Sequence, residues 1–293
     1  LKILEREMKS LIDIPHATAA SIYGLMGSNC MKLGDNDAAL QYHEKSLNMQ
    51  LDIYGHTDHP DIAASYGNMA LVYSSQGDYS KALQYHEKSL NMQLSMFGHT
   101  DHPDIAYSYN NLASVYKSEG NYRKALQYHE KSLNMRLSIY GHTDHPDTAQ
   151  SYNNMAIVYY SQEEHSKALQ YYEKSLNMSL NIFGHTDHPY IAASYSNMAN
   201  IYRSQGEYSK ALQYIEKSLN MQLNLYGRTD HPEIARSYTI MAGVYQTQGD
   251  YTKALQYYEK SLNMRLNIYG HTEHPDIARS YNSMASAYDS QGD

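Results

Sequence analysis

The chain has 293 residues, a formal net charge of −8 and a sequence pI near 6.0. This acidic balance argues against a nucleic-acid-binding surface, which needs clustered basic side chains, and no apolar run approaches the roughly 20 residues of a membrane helix. The single cysteine, Cys30, excludes an internal disulfide and fits a reducing compartment, so we expect a cytoplasmic protein without membrane insertion.

A six-residue junction recurs along the chain with a constant spacing of 43 residues. Four copies read Gly-His-Thr-Asp-His-Pro, the fifth has Arg for the first His, and the sixth has Glu for the Asp. The copies occupy residues 55–60, 98–103, 141–146, 184–189, 227–232 and 270–275. A fixed period of this length indicates a repeat array. Because such an array presents one long surface, it favours binding of other chains over catalysis.

Each repeat contains two stretches with helical spacing of apolar side chains. In the copy that follows the first junction, these stretches are 60–76 and 79–97. Pro60 suits a first helical turn, and either Asp58 or His59 is the N-cap. Gly77 tolerates the positive φ that ends the first helix. We therefore expect two antiparallel helices of about 17 and 19 residues per repeat, joined by short loops.

The turn between the two helices distinguishes between repeat families of similar period. WD40 blades need strands and a Trp-Asp pair, and this chain has no Trp, whereas HEAT repeats are helical pairs of similar length. The pattern Tyr66-x-x-Met69-Ala70-x-x-Tyr73-x-x-x-Gly77-x-Tyr79-x-x-Ala82 resembles the tetratricopeptide (TPR) repeat. It recurs in four later copies, with one departure at 163–165. With their His-Pro-Asp start, these long repeats are similar to those of kinesin light chains and of nephrocystin-3-like and other signalling ATPases.

The resemblance implies an all-α TPR solenoid of antiparallel helix pairs that winds into a right-handed superhelix. We predict a single solenoid over 1–293, in which residues 1–16 are the remnant helix of a preceding repeat and 275–293 form a partial repeat. Because the chain begins without Met and stops inside a repeat, we expect it to be part of a longer protein. The predicted full repeats are approximately 17–59, 60–102, 103–145, 146–188, 189–231 and 232–274.

One turn lacks the residues that the others share. The fourth repeat reads Glu163-Glu164-His165 where its neighbours have Gly-x-Tyr. A residue other than glycine at positive φ typically costs on the order of 1 kcal/mol, so we expect the array to be weakest here.

The copies differ from one another mainly at four first-helix positions, which are Ala64, Gly67, Leu71 and Ser74 in the second repeat. At 100° per residue they share one stripe roughly 80° wide. In TPR arrays the first helices line the concave groove, so the resemblance places this stripe there. The variation indicates either a partner-binding face or drift on an unconstrained face. Equally exposed second-helix positions have not changed, which favours binding.

We predict that this groove binds an extended peptide. Asn can hydrogen-bond both the N–H and the C=O of a peptide backbone, and Arg or Lys favours carboxylates. Resemblance to kinesin light chains implies a short acidic peptide that contains aromatic residues. Asn68 and its equivalents, one position further on, are as well explained by a structural role. The predicted groove residues are Tyr107, Asn110, Ser114, Lys117, Gln150, Asn153, Tyr160, Ser196, Asn200, Arg203 and Arg236.

The His-Thr-Asp-His junctions offer two imidazoles and a carboxylate, which are ligands for Zn, Ni or Cu. The alternative is a loop and helix N-cap copied by duplication. No Cys or second His pair completes a tetrahedral set, so we predict no metal and no cofactor. His43, His86 and His129 are replaced by Tyr or Ile in later copies, which indicates buried packing. No set of nucleophile, base and oxyanion donor can be assembled, so we predict no enzymatic activity.

Together these features predict a non-enzymatic scaffold or adaptor that binds a protein or peptide partner in its groove. The alternative is a sensor or regulatory TPR arm of a larger multidomain signalling ATPase or enzyme. A neighbouring heptad segment would favour the first function and a phosphate-binding loop the second, and this chain contains neither. A metal-responsive protein, the third class, would bind about one metal per junction.

Overall fold

The computed structural model describes residues 16–55, 57–98, 100–141, 143–184, 186–227, 230–270 and 274–292. Within these residues the protein forms thirteen α-helices and no β-strand, which confirms the all-α prediction. The helices are α1 (His16–Lys32), α2 (Asn36–Tyr54), α3 (Pro60–Ser75), α4 (Tyr79–Phe97), α5 (Pro103–Ser118), α6 (Tyr122–Tyr140), α7 (Pro146–Ser161), α8 (His165–Phe183), α9 (Pro189–Ser204), α10 (Tyr208–Tyr226), α11 (Pro232–Gln248), α12 (Tyr251–Tyr269) and α13 (Pro275–Gln291).

The helices pack in pairs, each made of an odd-numbered first helix and the even-numbered second helix that follows it. The chain divides into two compact units, 1–142 and 143–293. Unit 1 contains α1 to α6, and unit 2 contains α7 to α13. Within each unit, the first helix of the next repeat also packs on the second helix of the repeat before it, as expected for a solenoid. The predicted remnant helix at 1–16 lies outside the described residues, except for His16.

Small side chains let the paired helices approach closely. In unit 2, Ala156 of α7 and Ala168 of α8 are fully buried in one core cluster. Nearby, the Ser175 hydroxyl on α8 donates a buried hydrogen bond of 2.8 Å to the carbonyl of Ala149 on α7. The corresponding bonds join Ser46 to Ala20, Ser132 to Ala106, Ser218 to Ala192 and Ser261 to Ala235. This bond ties the two helices together in five of the six pairs, so the serine contributes more than a small side chain there.

Tyrosine rings fill the edge of each helix pair. The ring of Tyr171 on α8 lies between Tyr152 and Tyr159 of α7, with centroid separations of 6.1 and 5.2 Å. Lys167 and Lys174 place their ammonium groups 5.3 and 5.1 Å from the centroids of Tyr159 and Tyr171. These are favourable cation–π distances. The lysines repeated in every second helix therefore have a packing role.

The second histidine of each junction is the N-cap of the helix that follows. His59 has an extended backbone, and its Nδ1 accepts a 3.2 Å hydrogen bond from the N–H of Asp61. The imidazole also stacks on Tyr54 at 3.5 Å, and the Thr57 hydroxyl bonds the Tyr54 carbonyl. His59, and not Asp58, is thus the cap. The same Nδ1 bond is made by His102, His145, His188, His231 and His274.

The Nδ1 atom of this histidine already accepts a hydrogen bond from the backbone, so it is not available as a metal ligand. The first histidine of each junction lies outside the described residues. Among the described residues, no group of three His, Cys, Asp or Glu side chains is arranged to hold a metal ion.

The turn at Glu163 keeps the backbone of its neighbours without their glycine. Glu163 has φ +62°, whereas Gly120 and Gly206 at equivalent turns have φ +85° and +74°. The expectation that this copy places a non-glycine residue at positive φ is therefore confirmed. His165, which replaces the usual Tyr, has a buried Nδ1 without a hydrogen-bond partner. Both features cost stability locally.

Three histidines of the second helices are buried in unit 1, as the copy comparison predicted. His43, His86 and His129 are each no more than 2% exposed, and each has at least one buried ring nitrogen without a partner. Burial lowers the pKa of His43, and it lowers the pKa of His86 and His129 to about 4. For His129, the nearby cations Lys117 and Arg136 add to this effect. These imidazoles are neutral at pH 7.

Replacing Glu163 by Gly should stabilise the α7–α8 pair by about 1 kcal/mol, because glycine adopts positive φ without steric cost. Hydrogen exchange around 160–168 should slow in Glu163→Gly. Before substitution, these residues should exchange faster than 75–82. The reciprocal change, Gly206→Glu, should accelerate exchange around the next turn. Equal protection of residues 160–168 and 75–82 in the wild type would contradict the prediction that the turn at Glu163 is the weakest.

Acid should loosen unit 1 selectively. An unfolded histidine takes up a proton near pH 6.5, whereas folded His86 and His129 resist protonation until about pH 4. The free energy of unfolding therefore falls as the pH is lowered from 6.5 towards 4, and at pH 5 each histidine has cost about 2 kcal/mol. Hydrogen exchange in α4 and α6 should accelerate between pH 7 and pH 5 after correction for intrinsic rates. The variant His86→Tyr/His129→Tyr, which copies residues found in unit 2, should remove most of this effect; unchanged acid sensitivity would rule it out.

The junctions should act structurally and not as metal sites. With micromolar Zn²⁺ or Ni²⁺, the melting temperature should change by less than about 2 °C, because only a ligand that binds the native state tightly raises it. The comparison is with protein treated with a chelator. A rise of several degrees would show that the junction histidines bind metal after all.

Candidate functional site

The predicted groove residues of unit 1 lie on α5. Tyr107 is 55% exposed and Ser114 is exposed, with the Ser114 hydroxyl bonded to the Asn110 carbonyl at 3.0 Å. Asn110 and Lys117 are half-buried. Lys117 is close enough to His129 for its positive charge to lower the pKa of that buried imidazole.

Three predicted groove residues lie on α7 of unit 2. Gln150 donates a 2.8 Å hydrogen bond from Nε2 to Oδ1 of Asn154, and Asn153 is half-buried. The Tyr160 hydroxyl is 3.4 Å from the Ser204 hydroxyl on α9. The tyrosine therefore bridges two successive first helices.

The residues on α9 are less uniform than the sequence predicted. Ser196 is 3% exposed and shares a 2.7 Å hydrogen bond with Ser218 on α10. It belongs to the helix–helix contact. Asn200 is half-buried and bonds the Ser196 carbonyl of its own helix at 3.3 Å.

Arg203 is seated against the next first helix. The Arg203 guanidinium occupies the space that a Cβ atom at Gly243 on α11 would need, so a side chain there would displace it. Arg203 is also near enough to Tyr258 to favour its ionised form, although burial raises the pKa of that hydroxyl overall. Arg236, in contrast, is exposed, with Nη1 3.7 Å from a Glu233 carboxylate oxygen.

Each unit has a pocket between two successive first helices. The pocket of unit 2, here the C-terminal pocket, has a volume of about 310 Å³. The pocket of unit 1, here the N-terminal pocket, has a volume of about 360 Å³. The two occupy equivalent positions in the repeat, two periods apart. The C-terminal pocket is lined by residues that include Gln150, Asn153, Ile157, Ser179, Asn197 and Arg236. The N-terminal pocket is lined by residues that include Asp61, Gly67, Leu71, His86, Gln93 and Asp104.

The C-terminal pocket therefore contains three of the eleven predicted residues, Gln150, Asn153 and Arg236, and the N-terminal pocket contains Tyr107. Ile157 also lines the C-terminal pocket, at a first-helix position that varies between copies but that we did not select. Asn197 belongs to the series for which a structural role was equally plausible. Its side chain lines the pocket, so a binding role is open to it.

Sequence reasoning missed the residue on the pocket floor, which comes from the second helix. The side-chain Oε1 of Gln93 accepts a 2.7 Å hydrogen bond from the hydroxyl of Ser108 on the following first helix. Gln50 and Gln222 accept the equivalent bond from Ser65 and Ser237. Ser179 occupies this position in the C-terminal pocket, where Ser194, the equivalent of Ser108, instead donates to the carbonyl of Tyr190. The signal was available, because the residue after the repeated Met is Gln, Arg or Ser in different copies.

The two pockets differ in charge. The residues that line the C-terminal pocket include one cation, Arg236, and no acidic side chain. The residues that line the N-terminal pocket include Asp61 and Asp104 and no Lys or Arg. Neither lining offers an activated nucleophile paired with a base, so both pockets are suited to binding.

No helix in the described part of the chain is both long enough and apolar enough to cross a membrane. Cys30 is fully buried, and burial raises the pKa of its thiol. It is a core residue and not an exposed nucleophile.

Solved structures share this fold at low sequence identity. BtubC (BKLC) from P. vanneervenii is 19% identical, with a TM-score of 0.62 over 90% of this chain and 96% of its own. The nearly identical TPR-like repeats of a kinesin light chain-like protein from Podosopora anserina are 18% identical, with a TM-score of 0.58 over 72% of this chain and 99% of theirs.

A Signal Transduction ATPase with Numerous Domains from Pyrococcus horikoshii, described as having a tetratricopeptide repeat sensor, is 20% identical. Its TM-score is 0.60, and the match covers 87% of this chain but 37% of the ATPase chain. At these identities the similarity establishes the fold alone.

No curated protein sequence matches this one. The family model for the tetratricopeptide repeat matches residues 18–95, 104–181, 179–224, 190–267 and 233–293. These matches cover most of the chain, and the paired helices, glycine turns and pockets between first helices agree with them. The chain belongs to the tetratricopeptide repeat family.

Proposed function

We propose that this chain is a cytoplasmic adaptor that binds an extended acidic peptide on the variable face of its first helices. Tetratricopeptide repeats form non-catalytic scaffolds for protein partners, and that much follows from the family. The observation that carries the proposal is the C-terminal pocket, where a cation and amide side chains line one cavity and no acidic side chain is among the lining residues.

The lining of this pocket suits a peptide in extended conformation. Asn153 and Asn197 come from successive first helices and are half-buried, so each amide can bond a peptide N–H and C=O with limited loss of side-chain entropy. Arg236 at the third first helix of unit 2 can form a bidentate pair with a carboxylate. Ile157 adds an apolar surface for the neighbouring peptide side chain.

The charge of Arg236 is available to a ligand. Its partner Glu233 is 3.7 Å away, which is too long for a hydrogen bond, and both side chains are more than 40% exposed. Such a pair contributes little to stability, so exchanging Glu233 for a peptide carboxylate costs little. On α5 of unit 1, Asn110 and Lys117 repeat the combination of an amide and a cation on a first helix.

A second candidate is a sensor arm in a larger signalling ATPase. It is favoured by the similarity of fold to the repeat sensor of the Pyrococcus horikoshii ATPase. Both candidates use the same face for ligand binding, and they differ in what the chain is attached to. The sequence of the complete protein distinguishes them, because an ATPase would add a phosphate-binding loop.

The proposal is tested by selecting peptides from a phage-displayed dodecapeptide library and measuring the affinity of the enriched peptides by fluorescence anisotropy. We expect enrichment of Asp and Glu. Arg236→Ala should weaken binding about tenfold, and raised salt should do the same, because the ion pair is partly exposed to solvent. Ser179→Gln should also weaken binding, because it places a longer side chain in the lining of this pocket.

The matched control is Arg279→Ala. Arg279 occupies the same repeat position as Arg236 and pairs with an acidic residue three positions earlier, but it does not line the pocket. It should leave the affinity unchanged. Recovery of the same peptides with equal affinity by the wild type, Arg236→Ala and Asn153→Ala would place the binding site elsewhere.

A further inference from the structure

We propose that the N-terminal pocket is a separate recognition site for a basic side chain, Lys or Arg, of a protein partner. It is formed by α3, α4 and α5 within unit 1. This inference does not depend on acidic-peptide binding by unit 2, because it rests on a different cavity with the opposite charge.

The first observation is a pair of carboxylates that form no ion pair with a Lys or Arg among the described residues. Asp61 and Asp104 line the pocket, and their side chains are 55% and 59% exposed. The histidine nearest to each, His59 or His102, is 3.8 Å away, but its Nδ1 is occupied as the helix-cap acceptor. Asp61 also accepts a 3.1 Å hydrogen bond from the Tyr54 hydroxyl, which orients this carboxylate without cancelling its charge.

The second observation is an unsatisfied polar group beneath the pocket. His86 lines it, is 1% exposed, and has a buried Nε2 without a hydrogen-bond partner. Because burial lowers the pKa of this imidazole to about 4, the ring is neutral and adds no positive charge to the pocket. In the tautomer that carries the proton on Nδ1, Nε2 of this neutral imidazole accepts a hydrogen bond from an ammonium or guanidinium group. Buried polar atoms without partners are rare in folded proteins, and a donor from a ligand would satisfy this one.

The shape of the pocket suits a long side chain with an aliphatic stem. Ala64 and Gly67 stand where the C-terminal pocket has Gln150 and Asn153, so the wall formed by α3 is recessed. Leu71 and Met96 also line the cavity and provide apolar surface for the methylene groups of Lys or Arg.

Comparison with the C-terminal pocket isolates the residues responsible. In unit 2, Tyr172 replaces His86 and Tyr190 replaces Asp104. These two substitutions remove the orphaned imidazole and one carboxylate, and Arg236 adds a cation. The same fold position thus has an anionic pocket in one unit and a cationic pocket in the other.

The test uses four small probes on the full chain: N-acetyl-lysine amide, N-acetyl-arginine amide, N-acetyl-norleucine amide and N-acetyl-glutamate amide. Binding is followed by NMR shifts of the methyl groups of Leu71 and Met96. We expect saturable shifts with the Lys and Arg probes that weaken as salt is raised. Equal affinity for norleucine amide would show an apolar pocket, and equal affinity for glutamate amide would refute the charge assignment.

Variants then assign the shifts to this pocket. Asp104→Asn should weaken Lys binding about fivefold, as expected for one partly exposed ion pair. His86→Tyr/Asp104→Tyr introduces the side chains that unit 2 tolerates and should abolish selectivity for Lys over norleucine. Asp58→Asn, an exposed junction carboxylate outside the pocket, is the control and should change nothing. If Asp104→Asn and Asp58→Asn bind the Lys probe as tightly as the wild type, the proposal is wrong.

Discussion

The close contact between the first and second helix of each repeat is the constraint on which the structure depends. Fully buried alanines such as Ala156 and Ala168 bring the helices together, and the Ser175 hydroxyl then reaches the Ala149 carbonyl. A larger side chain at either alanine would separate the helices and break this bond. The contact fixes one side of each first helix and leaves the other side free to vary. Side chains on that other side can therefore change without loss of the fold.

Most of the fold could be predicted from the sequence because the period repeats the same physical signals. Apolar spacing, the junction proline and the glycine turn each mark a helix boundary, and the structure places the helices within a residue or two of those marks. The choice between Asp58 and His59 as N-cap could not be made. Imidazole is not among the strongly preferred caps, and its advantage comes from stacking on Tyr54 across the junction.

The candidate site was less predictable, because it depends on contacts between helices that one repeat does not contain. Ser196 shares the variable stripe with Asn153, yet it is buried against Ser218. The contact between Arg203 and Gly243 joins two repeats, so the pattern of a single repeat does not predict it. Lys167 and Lys174 of the second helix have a packing role over tyrosine rings, so packing also explains why these positions do not vary. The site is better supported by its pockets than by the pattern of variation.

The junction cap has a consequence for how such a protein changes length. Each cap and its stacking partner, such as His102 and Phe97, lie within six residues of each other and are nearly the same at every junction. Unequal recombination between two repeats of the gene would therefore join the second helix of one repeat to the first helix of another. The histidine cap at the new junction would still find its aromatic stacking partner. Whole periods can be gained or lost without creating a mismatched boundary. Natural variants of this array should then differ in the number of repeats more readily than in the length of any one of them.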